Sequence, residues 1–221
     1  IVNRIPVARG LGSSAAAIVA GLMAADAFMG IAPDLQRLLN TAARIEGHPD
    51  NTAACILGGI TASSFVGARV LWARVPAHGS LRAVAAVPDF PVSTRAARNV
   101  LPGNVPHSDA VFNVGRTALL VASLASGDYA NLRYAFDDRL HQPYRSGLVP
   151  GMINAMKAAC DSGAIGSYMS GAGPSIMALI DRDGLAEPVA FAMREAFARV
   201  RVNALTMDLP MAESGAAFEV V

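Results

Sequence analysis

The residue pattern predicts an α+β fold in two units, and three observations point to it. Apolar residues recur at helical spacing through residues 14–57 and then give way to two short extended runs, Ile60 to Phe65 and Arg69 to Val75. Turn-forming residues crowd Pro76-Ala77-His78-Gly79-Ser80 just ahead of a new apolar strand. Beyond that point, with inserted helices set aside, the order is β-α-β-β-α-β, the split arrangement of a ferredoxin-like sheet. The expected units are therefore residues 1–80 and 81–221.

Each element follows from local chemistry. Ser14 to Met29 is a predicted helix with Ala16, Val19, Ala20, Met23 and Ala27 on one face, stopped by Gly30. Pro33, in a first helical turn, opens a second with Leu35, Leu38, Leu39 and Ala42 inward, ending at Gly47. Asp50 or Asn51 can cap a short third helix that Gly58-Gly59 terminates, and the strand pair that follows turns at Gly67. In the second unit a strand is expected over Ala83 to Val87. Helices follow at Thr94 to Leu101, Asp109 to Ser126, Asp128 to Phe136 and Met152 to Ser162. Strands at Ala164 to Met169 and Ile176 to Asp181, a helix from Glu187 to Arg199 and a strand from Val202 to Leu209 complete it. The loose tail from Met211 is expected to be mobile.

Composition excludes several classes. A hydrophobic content of 53% with 16% charged residues describes a compact, Ala-rich protein with ample core. The apolar run Ala15 to Ala25 is too short to span a bilayer, and a net charge of +1 leaves no basic footprint for nucleic acid. Cys55 and Cys160 sit in apolar helical contexts without metal-ligand spacing and are expected to be small core residues. A cytoplasmic, small-molecule enzyme fits these bounds.

The most specific stretch is Pro6-Val7-Ala8-Arg9-Gly10-Leu11-Gly12-Ser13-Ser14-Ala15-Ala16, which joins a glycine-rich turn to an Ala-rich helix. Gly10 and Gly12 can take positive φ, Ser13 and Ser14 bring hydroxyls to the first turn, and unpaired amides with the helix dipole favour an anion. A dinucleotide-binding turn would also fit Gly10-x-Gly12-x-x-Ala15, but the acidic residue at the right distance, Asp34, opens a helical pattern instead of ending a strand. No Gly-Lys-Ser/Thr follows the glycines, so a Walker loop is excluded. A Ser-capped helix after a tight turn is the plainer alternative.

These residues resemble the phosphate-binding motif of the GHMP kinases, the superfamily of galactokinase, homoserine kinase, mevalonate kinase and phosphomevalonate kinase. Ser170-Gly171-Ala172-Gly173-Pro174-Ser175 resembles its C-terminal glycine loop, and Glu46-Gly47-His48-Pro49-Asp50-Asn51 with Gly58-Gly59 resembles the homoserine kinases in particular. The resemblance runs over almost the whole chain. It implies a two-domain fold, a ribosomal-protein-S5-like α/β domain that binds ATP followed by a ferredoxin-like domain. The superfamily begins with a strand and loop that nothing ahead of Ile1 supplies, so a fragment lacking roughly the first quarter of such a kinase is expected.

The resemblance also implies roles. Pro6, Arg9, Gly10, Leu11, Gly12, Ser13, Ser14 and Ala15 would cradle the nucleotide, with Ser14 and Glu46 holding Mg²⁺ and Ser14, Glu46 and Asn51 forming the catalytic set. Mg²⁺ keeps several waters, so one acid suffices, and a carboxylate at a helix C-terminus is otherwise disfavoured. His48, Asp50 and Asn51 would face the substrate, Asn51 offering both a donor and an acceptor to a hydroxyl. Taken singly, Asp50 reads equally as a helix cap and His48 as a structural histidine. Arg98 and Arg145 would clamp the carboxylate of an amino acid, Arg95 and Arg139 mattering less, and Gly171 and Gly173 would bring backbone close to substrate. No general base is nominated. The expected activity is ATP- and Mg²⁺-dependent phosphorylation of the side-chain hydroxyl of L-homoserine to O-phospho-L-homoserine, in threonine biosynthesis; the sequence leaves the oligomeric state open, a homodimer included. The rivals are a kinase for mevalonate, shikimate or a sugar, and an inactive nucleotide-binding fragment.

Overall fold

Glycines and a capping carboxylate set the limits of the first helices in the computed structural model, which describes residues 2–76 and 81–219. Helix α1 (Ser13–Phe28) starts after Gly12, whose φ of 76° lies in the left-handed region. Asp34 caps α2 (Leu35–Glu46) by accepting the Arg37 amide at 2.9 Å, and Gly47 closes it at φ 88°. Helix α3 (Asp50–Leu57) ends at Gly58 and leads into an antiparallel pair, β1 (Ile60–Val66) and β2 (Arg69–Val75). Val19, Leu39, Ala42, Ala43, Ala53, Ile56 and Val70 form their shared core. Helix α2 also blunts a strand edge: Asn40 accepts the Val70 amide at 2.8 Å and Gln36 donates to the Val70 carbonyl at 3.0 Å.

Several expectations for this part are corrected. The buried face of α1 is Ala15 and Val19, with Ile18, Leu22 and Met23 packed nearby, while Ala20 and Ala27 are exposed. An Ala-rich helix is apolar all round, so its periodicity does not choose a face. Pro33 precedes the Asp34 cap, and Leu35, the first helical residue, is 46% exposed. Neither Asp50 nor Asn51 is the cap of α3: Pro49 holds that place and Asp50 is the first helical residue. The tail is docked through residue 216. Ala212 accepts from the Gly59 amide at 2.6 Å, Glu213 O from Arg74 Nη2 at 2.8 Å, and Ala216 N donates to Cys55 O at 2.9 Å. Those backbone bonds carry no signature in side-chain polarity.

A four-stranded antiparallel sheet organises the rest. Strands β3 (Arg82–Pro88), β4 (Gly166–Met169), β5 (Ile176–Ile180) and β6 (Ala204–Pro210) lie in the order β4-β5-β3-β6. That is the ferredoxin-like arrangement, with α8 (Met152–Asp161) and α9 (Ala186–Ala198) as its crossover helices. Helices α4 (Thr94–Asn99), α5 (His107–Ser126), α6 (Leu132–Ala135) and α7 (Gln142–Arg145) lie in the first crossover, followed by a 3₁₀ turn at Ser146–Leu148. The core is built from small and aliphatic side chains, Val84, Ala86, Ala155, Ile176, Ala178, Ile180, Val189 and Met193 among them, with Phe197 fully buried.

The helix expected over Asp128 to Phe136 shrinks to α6, because Asp128 turns its carboxylate onto the Ala130 amide at 3.0 Å and holds a local turn instead. Cys160 is exposed instead of buried in the core, and both cysteines are free thiols. Burial raises the pKa of the Cys55 thiol. Residues 77–80 of the expected boundary lie outside the described residues. By internal packing one unit comprises Ile1–Ile5, Gly12–Pro76 and Ala212–Val221, the other Pro6–Leu11 and Ala77–Met211. No helix of the described residues is long and apolar enough to cross a membrane.

Candidate active site

In the first unit the site is built on the start of α1. Ser13 and Ser14 are its first two residues, and no side chain caps it, which removes the Ser-capped alternative. The opening amides are left for a ligand or solvent. Ser14 Oγ instead donates to Glu46 Oε2 at 2.7 Å, joining the two residues expected to hold a metal. Glu46 ends α2 with its side chain only 11% exposed, contrary to a solvated glutamate at a helix end.

A polar chain continues from there. His48 Nε2 lies 4.0 Å from Glu46 Oε1, and His48 Nδ1 donates to Asp50 Oδ1 at 2.6 Å. The same Asp50 oxygen accepts the Asn51 amide at 2.8 Å, so His48 and Asp50 order the turn that carries Asn51. A Cβ placed on Gly12 would stand 3.7 Å from Asn51 Oδ1, which puts that amide group beside the glycine turn. Thus Gly12, Ser13, Ser14, Ala15, Glu46, His48, Asp50 and Asn51 all fall within one unit. A hydroxyl and a carboxylate are hard oxygen donors and fit Mg²⁺, which takes one or two carboxylates along with water and phosphate. No group of three or more His, Cys, Asp or Glu among the described residues could hold a metal.

In the second unit the two glycine motifs meet backbone to backbone. Ser170 Oγ donates to Gly10 O at 2.8 Å, and a Cβ on Gly10 would stand 2.2 Å from Ser170 O and 2.9 Å from Gly173 O. The loop from Ser170 to Ser175 closes on itself through Ser170 N to Ser175 O at 2.9 Å and Gly173 N to Ser170 O at 2.8 Å. Arg9 donates from Nε to Pro88 O at 2.9 Å and from Nη2 to Asp89 O at 3.0 Å, anchoring the Pro6–Leu11 segment to the end of β3. Its guanidinium therefore serves the loop's own backbone.

The two arginines expected to hold a carboxylate lie near one another. Arg145 donates from Nη1 to Gly171 O at 2.9 Å and from Nε to Ala97 O at 3.1 Å, next to Arg98 at the end of α4. Burial lowers the Arg145 pKa; Asp138 opposes that, and the Arg98 guanidinium adds repulsion in the same downward direction. An anionic ligand shared by the pair would relieve that repulsion. Arg139 is committed elsewhere, 3.2 Å from Asp109 and stacked 3.9 Å over the Phe112 ring. Asp138 and Asn113, which no motif in the sequence singled out, organise with Gln142 the turn carrying Arg145; an Asp four residues ahead of Gln142-Pro143 was the available signal of a helix start.

Comparison with known proteins shows the family. The family described as GHMP kinases N terminal domain matches residues 1–59, and GHMP kinases C terminal matches residues 120–199. The chain is 45% identical over 215 residues to a homoserine kinase of Desulfitobacterium hafniense, covering 97% of this chain and 72% of that one. It is 44% identical over 214 residues to a homoserine kinase of Moorella thermoacetica, with 97% and 72% coverage. The crystal structure of homoserine kinase from Cytophaga hutchinsonii superposes with a TM-score of 0.86 at 30% identity, covering 96% of this chain and 69% of that one. L. major mevalonate kinase, at 15% identity and a TM-score of 0.69 over 93% of this chain and 67% of that one, shares the fold.

Proposed function

This chain belongs to the homoserine kinase family of the GHMP kinases, and we propose that it transfers the γ-phosphoryl group of ATP to the side-chain hydroxyl of L-homoserine, giving O-phospho-L-homoserine. It is a phosphotransferase acting on a small molecule. The observation that carries the proposed chemistry is the 2.7 Å contact of Ser14 Oγ with Glu46 Oε2, at the start of a helix whose side chains leave its first amides uncapped. Phosphoryl transfer asks mainly for positioning and charge neutralisation, and each residue set supplies a part of that.

The glycine turn at Gly10–Gly12 and the opening amides of α1 hold phosphate oxygens, with Pro6, Arg9 and Leu11 fixing the path of the turn. Ser14 and Glu46 hold Mg²⁺, which supplies positive charge to the triphosphate. Asn51 orients the acceptor hydroxyl, its turn stiffened by the His48–Asp50 hydrogen bond. Arg98 and Arg145 hold the amino-acid carboxylate, and Gly171 and Gly173 bring backbone close to the substrate beside Arg145. Asp50, already an acceptor for His48 and for the Asn51 amide, is assigned to ordering and not to proton transfer.

The test is phosphate-ester formation from ATP and Mg²⁺ with L-homoserine, mevalonate, shikimate or galactose as acceptor. Turnover with L-homoserine above all others is expected. Faster turnover with another acceptor would replace the substrate, and nucleotide binding without turnover on any of them would reduce the chain to a binding module.

A further inference from the structure

Asp138 lies between α6 and α7, its side chain 7% exposed. It accepts the Leu140 amide at 2.8 Å, the His141 amide at 3.1 Å, the Gln142 amide, and Asn113 Nδ2 from α5 at 2.8 Å. Helix α7 is a single turn of 4 residues, too short to persist on its own hydrogen bonds. Its entry is held by that one carboxylate. Gln142, 8% exposed, then ties the turn to the sheet: Oε1 accepts the Met169 amide at 2.8 Å and Nε2 donates to Phe136 O at 3.1 Å. Met169 is the last residue of β4, directly before the Ser170 glycine loop. At the exit of the same turn stands Arg145, donating to Ala97 O and Gly171 O.

We propose that Asp138 is a positioning residue for substrate recognition: by gathering the amides at the entry of α7 it fixes the Arg145 guanidinium, and through Gln142 the neighbouring glycine loop, in the geometry that receives the carboxylate. The proposal rests on the assignment of Arg145 to that carboxylate. A carboxylate suits the task because it accepts from several donors at once, whereas a neutral amide at the same place would turn an NH₂ group toward some of them. Burial pushes the Asp138 carboxyl up, yet the donors from Gln142, Asn113 and Leu140 carry it below the usual range, so it stays ionised.

The experiment compares Asp138→Asn, Arg145→Ala and the double variant in the full chain, with KM for L-homoserine and ATP measured alongside KM for 3-aminopropan-1-ol, which lacks the carboxylate. Asp138→Asn is expected to raise KM for L-homoserine about tenfold, the loss of one charge-assisted contact, while KM for ATP moves less than about twofold. The effect should vanish on 3-aminopropan-1-ol and in the Arg145→Ala background, as it must if the two residues act as one unit. A parallel rise in both KM values, or an effect that persists without Arg145, overturns the proposal. An Arg145→Ala variant with unchanged KM for L-homoserine would overturn the carboxylate assignment itself, and the proposal with it. Should Asp138→Asn not fold by circular dichroism, Asn113→Ala, which removes one donor and leaves the carboxylate, should show the same pattern at about threefold; its absence is equally decisive against the proposal.

Discussion

Gly10→Ala separates close packing of the two glycine loops from a generic need for flexibility. The new Cβ would stand 2.2 Å from Ser170 O, 2.9 Å from Gly173 O and 3.0 Å from Gly173 N, all backbone atoms, at a φ of 77°. The left-handed conformation costs an L-residue about 1–2 kcal/mol. Forcing apart two packed backbones adds about 1–3 kcal/mol. A loss of roughly 2–5 kcal/mol follows, or about 4–20 °C in melting temperature at 2–4 °C per kcal/mol for a chain of this size. Gly12→Ala is the matched control, with φ 76° but its nearest atom 3.7 Å away, so it should cost only about 1 kcal/mol. Gly21→Ala, inside α1 with nothing within 4 Å, should stabilise by about 0.5–1 kcal/mol. Calorimetric melting of the three variants gives the order, and Trp72 fluorescence on β2 reports the first unit separately. A Gly10→Ala protein as stable as Gly12→Ala would refute the backbone contact.

Three further outcomes follow from the geometry. Arg98→Ala should raise KM for L-homoserine at least about tenfold and leave KM for ATP within about twofold, with Arg95→Ala near wild type in both; the reverse pattern removes Arg98 from the clamp. His141 is held below its ordinary pKa, by burial first, with Asp138 opposing and Arg145 reinforcing, and Asp138 is held below its own. In both cases the unfolded chain binds the proton more readily, so stability is full near neutral pH. It falls as pH drops below about 6.5, and again below about 4 as Asp138 protonates. His141→Gln should flatten the first limb in urea melts at stepped pH, and an unchanged curve would contradict the assignment. Deleting residues 212–219 removes three hydrogen bonds and the backbone packed at Gly58, and should cost about 2–4 kcal/mol in the unfolding of the first unit; a deletion that leaves the Trp72 transition unmoved would show the tail idle.

What the sequence made legible were features with local causes. Gly12 before an Ala-rich run, Gly47 after α2 and Gly67 between β1 and β2 each take the positive φ that their positions suggested. The ferredoxin-like order survived because strands and crossover helices alternate at readable lengths. The family resemblance, not a local cause, paired Ser14 and Glu46 for one ligand, and the two lie in contact 32 residues apart. Other features depended on distant partners. That Arg9 anchors its segment to β3 hinges on carbonyls about 80 residues away, and that the tail docks hinges on backbone groups at Cys55 and Gly59, which no pattern in residues 211–219 announces. The uniform apolarity of α1 hid its inward face, and the Asp128 turn overrode a helical pattern that spacing alone favoured.

The assignment of Pro6–Leu11 to one unit and Gly12 onward to the other, with Ala212–Val221 counted in the first, bears on any attempt to dissect the protein. A gene halved at the obvious midpoint would yield one piece carrying a foreign ribbon and another missing it, with the closing strap left on the wrong fragment. Isolated bodies would have to be made by circular permutation, restoring residues 6–11 to the ferredoxin-like sheet and the terminal segment to the helical half, and even then the glycine turn would be severed at the Leu11–Gly12 peptide.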